Sequence, residues 1–364
     1  LHDALPIFTN FDAATWLAKR PASFFARFYM LVIDELTAYK NKDSQRSRAL
    51  ARIVQHFECR RGLTATPIGE SVTDIWHQAY LIDDGVHLGK EFYKFRGTVC
   101  SPVTQTIAGR KITEWEDIEG AEEAIYGVLL DMTVRHQKEK CTDIPPTFYT
   151  HVEYELSKRQ RELYDEMLYG RVLKKEHGIT GKITGKHGGL VAAKLSQICS
   201  GAVYDDDKLV ELIDVGRYEL VMELAAQRVR PVIFYEWRHQ LDELMKQAKA
   251  RGLRYGSANG STSDRERDQL FADYQAKRLD GLILHPDIAA HGVTLTAGTS
   301  IIWPQPIRQI EPFVQANQRQ ARIGQKFKTE IVMVQAKDTV EEAAYGVLME
   351  RDAKLSKLLA LFGE

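Results

Sequence analysis

The chain has 364 residues, 44% apolar and 27% charged, which suits a globular protein of about two domains, each able to bury its own core. Lys and Arg (49) nearly cancel Asp and Glu (50), so no overall basic field draws nucleic acid, and any such binding must come from a local groove. The four scattered cysteines lack a Cys-x-x-Cys pair, which excludes the usual zinc spacings and a disulfide framework and points to a reducing compartment; no apolar stretch approaches the roughly 20 residues that cross a bilayer.

The opening Leu1-His2-Asp3-Ala4-Leu5-Pro6-Ile7 has neither the charge nor the apolar run of a signal peptide and resembles a translated adaptor remnant, with the protein proper expected from Phe8. Met30-Leu31-Val32-Ile33 is long enough for a buried strand and runs straight into Asp34-Glu35. Ligands bind beyond the carboxyl ends of parallel strands, and an acidic pair there suits nucleotide hydrolysis: one carboxylate holds Mg²⁺ and its neighbour orients water. A solvated strand end is the commoner use of such a pair. Apolar spacing at Ala49, Leu50, Ile53, Val54 and Phe57 predicts a helix over 41–57, and another is expected over 71–81. Between them lies Gly62-Leu63-Thr64-Ala65-Thr66-Pro67.

A basic stretch with Arg135, His136, Lys138 and Lys140 leads to the break at Ile144-Pro145-Pro146, followed by an expected amphipathic helix over 154–169. The glycine-rich run 178–189 reads as a basic loop carrying Lys182 and Lys186. It fails as a phosphate loop because Gly185-Lys186 is followed by His187, and no Gly-x-x-x-x-Gly-Lys-Ser/Thr occurs anywhere in the chain. Short apolar runs at 232–235, 282–284, 301–303 and 331–334 alternate with helical patterns at 237–249, 264–277, 311–322 and 340–361. That alternation predicts a parallel sheet covered by helices. The fold class is α/β with two lobes, assigned to residues 1–150 and 151–364 and joined near 145–200.

Within the expected helix 311–322, Arg319 and Arg322 would share one face. Two guanidinium forks so placed suit phosphate oxygens, one of them as an arginine finger, although a solvated basic face has the same spacing. His285-Pro286 and Ala290-His291-Gly292-Val293-Thr294-Leu295 follow the run at 282–284. Gly292 permits close backbone approach to a ligand or a tight turn, and His291 reads as a hydrogen-bonded loop residue.

In this order, the segments resemble the Swi/Snf-like double-stranded DNA translocases of helicase superfamily two. Asp34-Glu35-Leu36-Thr37 resembles the DEAH-type Walker B box and Ala38-Tyr39-Lys40-Asn41 its Lys-Asn continuation. Gly62 to Pro67 resembles Leu-Thr-Gly-Thr-Pro with Ala65 for glycine, and Arg135-His136 to Pro145-Pro146 the segment crossing between lobes. Gln315 to Gln325 is similar to the closing Gln-x-x-Gly-Arg-x-x-Arg-x-Gly-Gln box with Gln318 for glycine. The phage-encoded branch is nearest, through His285-Pro286, Ala290-His291-Gly292 and Lys194-Leu195-Ser196-Gln197-Ile198. Thr37 departs from the box's final histidine and Thr294 from a common asparagine.

The resemblance implies two RecA-like lobes, the first truncated at its amino terminus, where the phosphate-loop lysine segment would precede the chain. It implies ATP and Mg²⁺ as cofactors, with ATP between the lobes and the metal on Asp34 and Glu35. Catalysis would fall to Asp34, Glu35, Arg319 and Arg322, nucleotide contacts to Gly292, Gln315 and Gln325, and DNA coupling to Thr64, Thr66, Lys40 and Thr294. The function implied is an ATP-dependent helicase or double-stranded DNA translocase motor, inactive without the missing segment. It would work in the bacterial cytoplasm if phage-encoded. A non-hydrolysing nucleic-acid scaffold is the alternative from another class; an RNA helicase is disfavoured by the Thr-Ala-Thr-Pro form.

Overall fold

The computed structural model describes residues 6–65, 67–68, 71–107, 110–134, 143–170, 172–173, 183–184, 188–289 and 293–361. Thr66, His291, Gly292, the basic stretch 135–140, Lys182 and Lys186 lie outside them. The chain forms two compact units, residues 1–136 with 354–364, and residues 137–353.

In the first unit, α1 (Ala13–Leu17) and α2 (Ala22–Phe25) precede β1 (Met30–Ile33), which pairs in parallel with β2 (Cys59–Gly62). Between them, α3 (Gln45–Ile53) starts later than its apolar spacing suggests. The Ser44 hydroxyl caps it by accepting from the Ser47 N–H at 3.2 Å, which satisfies an otherwise orphaned donor. Leu50 and Ile53 of α3 close a core over Ile33, Leu36 and Phe57. After β2 come α4 (Asp74–Asp83), α5 (Phe92–Val99), an antiparallel hairpin of β3 (Cys100–Ile107) and β4 (Arg110–Asp117), and α6 (Ala121–Leu129). The sequence pattern did not foretell this hairpin. Trp76, Phe95, Ile125 and Tyr126 form its neighbouring core.

The second unit is built on β5 (Thr147–Tyr154), α7 (Lys158–Gly170), the short antiparallel pair β6 (Val172–Leu173) and β7 (Ile183–Thr184), α8 (Gly188–Cys199), and the hairpin β8 (Ala202–Tyr204) and β9 (Val210–Leu212). Then follow α9 (Gly216–Ala226), β10 (Val232–Phe234), α10 (Arg238–Ala250), β11 (Tyr255–Ala258), α11 (Asp264–Gln275), β12 (Gly281–Leu284), α12 (Pro286–Ala289), β13 (Ser300–Trp303), α13 (Ile310–Asn317), β14 (Thr329–Ala336) and α14 (Val340–Leu361), of which residues 340–353 belong to this unit. Six of these strands form one all-parallel sheet in the order β11-β12-β10-β13-β14-β5.

The near-continuous apolar runs are explained by the sheet's two faces. Successive side chains point to opposite sides, so Ile233, Ile283, Ile302 and Val332 enter one core, with Leu163, Tyr218 and Leu244 from the helices. Val232, Leu282, Ile301 and Ile331 enter the other, with Phe271, Phe313 and Tyr345. Both faces are covered, as a parallel sheet requires. The expected α/β class holds. The expected helix over 154–169 is shorter at its start, because Tyr154 completes β5.

Candidate functional site

In the first unit the site is assembled at the carboxyl end of β1. The ladder continues past the strand: the Leu63 N–H donates to the Ile33 carbonyl and the Leu36 N–H to the Leu63 carbonyl, each at 2.8 Å. Between those anchors the chain turns sharply. Glu35 takes left-handed backbone angles, φ 47° and ψ 55°, a conformation that costs a non-glycine residue on the order of 1 kcal/mol or more. Asp34 is exposed, Glu35 half-exposed, and the Glu35 N–H donates to Asp34 Oδ1 at 3.0 Å. Two adjacent acidic residues, one exposed and one part-exposed, thus stand at a strained strand end.

The turn Leu36–Tyr39 then buries Thr37, whose hydroxyl shares a hydrogen bond of 2.5 Å with the Thr64 hydroxyl. This contact joins the acidic segment to the Thr64–Pro67 loop through the residue that departs from the histidine of the resembled box. Helix α4 fastens both segments. The His77 Nδ1–H donates to the Tyr39 carbonyl at 2.6 Å, and burial lowers the imidazole's pKa, favouring the neutral ring. The Gln78 amide donates to the Pro67 carbonyl at 2.6 Å. Lys40, expected to face DNA, pairs with Asp74 at 3.3 Å and remains partly exposed. Sequence reasoning missed His77, Gln78 and Asp74, because a helix reads only as a periodic apolar stripe.

In the second unit the closing box departs from expectation. Helix α13 ends at Asn317, so Arg319 and Arg322 lie in the turns that follow and do not share a helical face. Buried amides redirect the chain. Asn317 Oδ1 accepts from the Trp303 indole at 2.9 Å, and Gln320 donates to the Ser300 carbonyl at 3.0 Å. The arginines are nonetheless gathered on one segment. The Arg319 carbonyl accepts from the Leu295 N–H at 3.0 Å and the Arg322 guanidinium donates to the Val293 carbonyl at 3.1 Å, bracketing Thr294. Arg319 is buried and Arg322 half-buried. Gln325 is buried; its amide donates to the carbonyls of Gly298 and Gln320 and accepts from the N–H groups of Lys326 and Phe327. Gly298 must be glycine, since a Cβ there would stand 2.1 Å from the Arg230 carbonyl oxygen. Gln315 is half-buried on α13.

Another group at the carboxyl edge of this sheet escaped the sequence reading. Glu236, just after β10, is half-buried with its pKa raised, first by burial and then by the charge of Asp287, while Arg308 opposes the shift. Its only sequence signal is its position after an apolar run, which Asp34 shares. Among the described residues no three His, Cys, Asp or Glu side chains gather to hold a metal, and no helix is long and apolar enough to span a membrane.

Residues 19–201, just over half of the chain, match the SNF2-related domain, and residues 213–324 match the helicase conserved C-terminal domain. Protein p41 of Acyrthosiphon pisum secondary endosymbiont phage 1 is 28% identical over 95% of this chain and 74% of its own length. The nuclear protein STH1/NPS1 of Saccharomyces cerevisiae is 26% identical over 88% of the chain, which spans only 25% of that larger protein. The SWI2/SNF2 ATPase core of Sulfolobus solfataricus, solved in complex with dsDNA, aligns over 95% of this chain and 71% of its own at 19% identity and a TM-score of 0.44. With the two domain matches in order along one polypeptide, the chain belongs to the SNF2-related domain family.

Proposed function

We propose that the complete protein carrying this chain is an ATP-driven motor that moves on double-stranded DNA. The observation that carries the reading is the joint at the end of β1, where Asp34 and Glu35 stand together at a left-handed turn and Thr37 ties that turn to Thr64. Two neighbouring carboxylates offer hard oxygen ligands of the kind Mg²⁺ accepts, and water and phosphate oxygens would complete its shell. When bound, the ion neutralises charge on the phosphates. Asp34 is assigned as its ligand. Glu35 orients the attacking water and takes its proton as the new oxygen–phosphorus bond forms and the bond to the leaving ADP oxygen breaks.

Arg319 and Arg322 are assigned to offset charge on the phosphoryl oxygens, the Thr37–Thr64 contact to pass the nucleotide state to the segment around Thr64 and Thr66, and Thr294 to a DNA contact of its own unit. Gly292, Gln315 and Gln325 stay assigned to the nucleotide side, Gln325 acting by shaping its loop. The test is duplex-stimulated ATP hydrolysis by the complete protein. Glu35→Gln should keep ATP binding and lose turnover by orders of magnitude, and near-normal turnover would make the pair an ordinary strand end.

A further inference from the structure

Within the first unit, α5 and the β3–β4 hairpin present a face that the machinery above does not use. Arg96 lies across it, its guanidinium carbon 4.0 Å from the centre of the Trp115 ring and 5.2 Å from that of Tyr93. Lys42 adds a second cation, its ammonium 5.3 Å from both the Phe92 and Tyr93 rings and paired with the exposed Asp43 carboxylate at 2.9 Å, a partner that a phosphate would have to displace. Tyr93 is 68% exposed and Trp115 37%. Arg60, Arg217, Arg228 and Arg254 each pair with a carboxylate, whereas Arg20 and Arg27, like Arg96, lie over aromatic rings. Arg96 has none within ion-pair distance among the described residues, and its Nε is buried without a hydrogen-bond partner. Aromatic faces hold the guanidinium in place while leaving its fork unengaged, and such a fork matches phosphate oxygens. Alternation along β4 puts Glu114 and Glu116 on the face opposite Trp115; Asp117 shares the Trp115 side, where its oxygens accept from Ser71 and Val72.

The face is also wired to both motifs. Lys42 follows the Asp34–Asn41 segment directly. Asp117, on the same side of β4 as Trp115, accepts from the Ser71 hydroxyl at 2.8 Å and the Val72 N–H at 3.1 Å, just beyond the Thr64–Pro67 loop.

We propose that Arg96, framed by Tyr93 and Trp115 and assisted by Lys42, grips a phosphate of a nucleic-acid backbone. This rests on the nucleic-acid reading above and adds a contact that the motifs do not supply. Duplex and single strand share the phosphodiester, and salt dependence separates them. Fluorescence anisotropy of the chain with labelled duplex and single-stranded DNA, over a range of salt, is the experiment. Arg96→Gln should weaken binding about fivefold and reduce the slope of log K against log salt by about 0.9 if the duplex is held, or about 0.7 for a single strand. Tyr93→Ser, at an exposed position, should weaken binding about threefold with an unchanged unfolding midpoint. If Arg96→Gln fails to fold, Tyr93→Ser decides the matter alone. Unchanged binding and slope in folded variants overturns the contact and leaves the proposed function standing. A wild-type chain that binds neither DNA, or prefers polyglutamate, removes both.

Discussion

The sheets of the two units start from similar sequence and end in different surroundings. In the second unit, β10, β12, β13 and β14 are flanked on both sides, and Val232, Ile283, Ile302 and Val332 are fully buried. In the first, β1 is equally apolar but pairs only with β2 among the described residues, and Met30 and Val32 stand 48% and 53% exposed. An apolar run therefore states what a strand can bury, and its neighbours decide what it does bury. The placement of chemistry is shared: polar side chains follow the carboxyl ends of β1, β10 and β12 at Asp34, Glu236 and His285. The means of holding it differ in part. Both use buried amides, Gln78 in the first unit and Gln325 in the second; the first adds hydroxyls and a part-exposed ion pair, Lys40–Asp74, whereas the second has a fully buried pair, Arg217–Glu341.

The largest expected effect tests whether the second unit's turn is catalytic. In the complete protein, Arg322→Ala should reduce ATP hydrolysis by roughly 10³–10⁵, as loss of an arginine finger does. Its nucleotide binding and unfolding midpoint should barely change. Arg319→Ala should cost turnover too, with some stability, because Arg319 is buried. A loss below tenfold in both would leave the acidic pair of the first unit as the only part of the proposed site with a chemical role.

Next comes the buried pair. Arg217 donates to both Glu341 oxygens, at 3.0 and 2.9 Å, and to the Pro304 carbonyl at 2.7 Å. Glu341 also accepts from the Ala336 N–H at 2.7 Å. Arg217→Met would strand a buried carboxylate and should destabilise the second unit by about 3–5 kcal/mol in urea unfolding; replacing both partners with apolar residues should recover much of that. The first unit's Arg60–Asp84 pair has an exposed carboxylate, and Arg60→Met should cost about 1 kcal/mol or less. Equal costs would erase the distinction between the units.

Acid should weaken the second unit first. His239 is buried, its Nε2 2.9 Å from the Ser200 hydroxyl and its Nδ1 3.2 Å from the Tyr204 hydroxyl, and burial pushes its pKa down to about 4. The unfolded chain binds this proton near pH 6.5, so the stability is complete above that value and falls with pH until about 4. The total loss is about 3 kcal/mol at 1.36 kcal/mol per pKa unit. His239→Gln should flatten the acid limb of unfolding midpoint against pH; an unchanged limb assigns the sensitivity to other groups.

Central strands were legible in the sequence because burial on two faces writes an uninterrupted apolar run. The sheet's edges were not: Tyr255-Gly256-Ser257-Ala258 is mostly small, and β5 begins with three exposed residues and buries only Tyr154. The helices over 237–249, 264–277 and 340–361 were visible nearly to their ends; Ser263 and Glu266 form the reciprocal cap that starts α11. Helix α13 was overextended, because Asn317 and Gln320 stop it through contacts with β13 that no local pattern encodes. At the site, the acidic pair and Thr64 were visible by type and spacing. Their joint was not, since Thr37 looked like a departure until its hydroxyl met Thr64.

The smallest effect gives the sharpest comparison of the two sheets, because one substitution can be made in both. Valine and threonine are nearly the same shape, so Val→Thr mainly asks whether a hydroxyl can reach water. At Val332, fully buried in β14 between β13 and β5, the hydroxyl would be desolvated without a partner, a cost of about 1–3 kcal/mol. At Val32, 53% exposed on β1, it would stay hydrated, and the change should remain within about 0.5 kcal/mol. Urea unfolding of the two variants, followed by probes in each unit, reads the difference directly. A Val32→Thr cost above about 1 kcal/mol would mean that this face is covered in solution. The apolar run of β1 would then be buried like those of the second unit, and Asp34 and Glu35 would stand at the end of an interior strand.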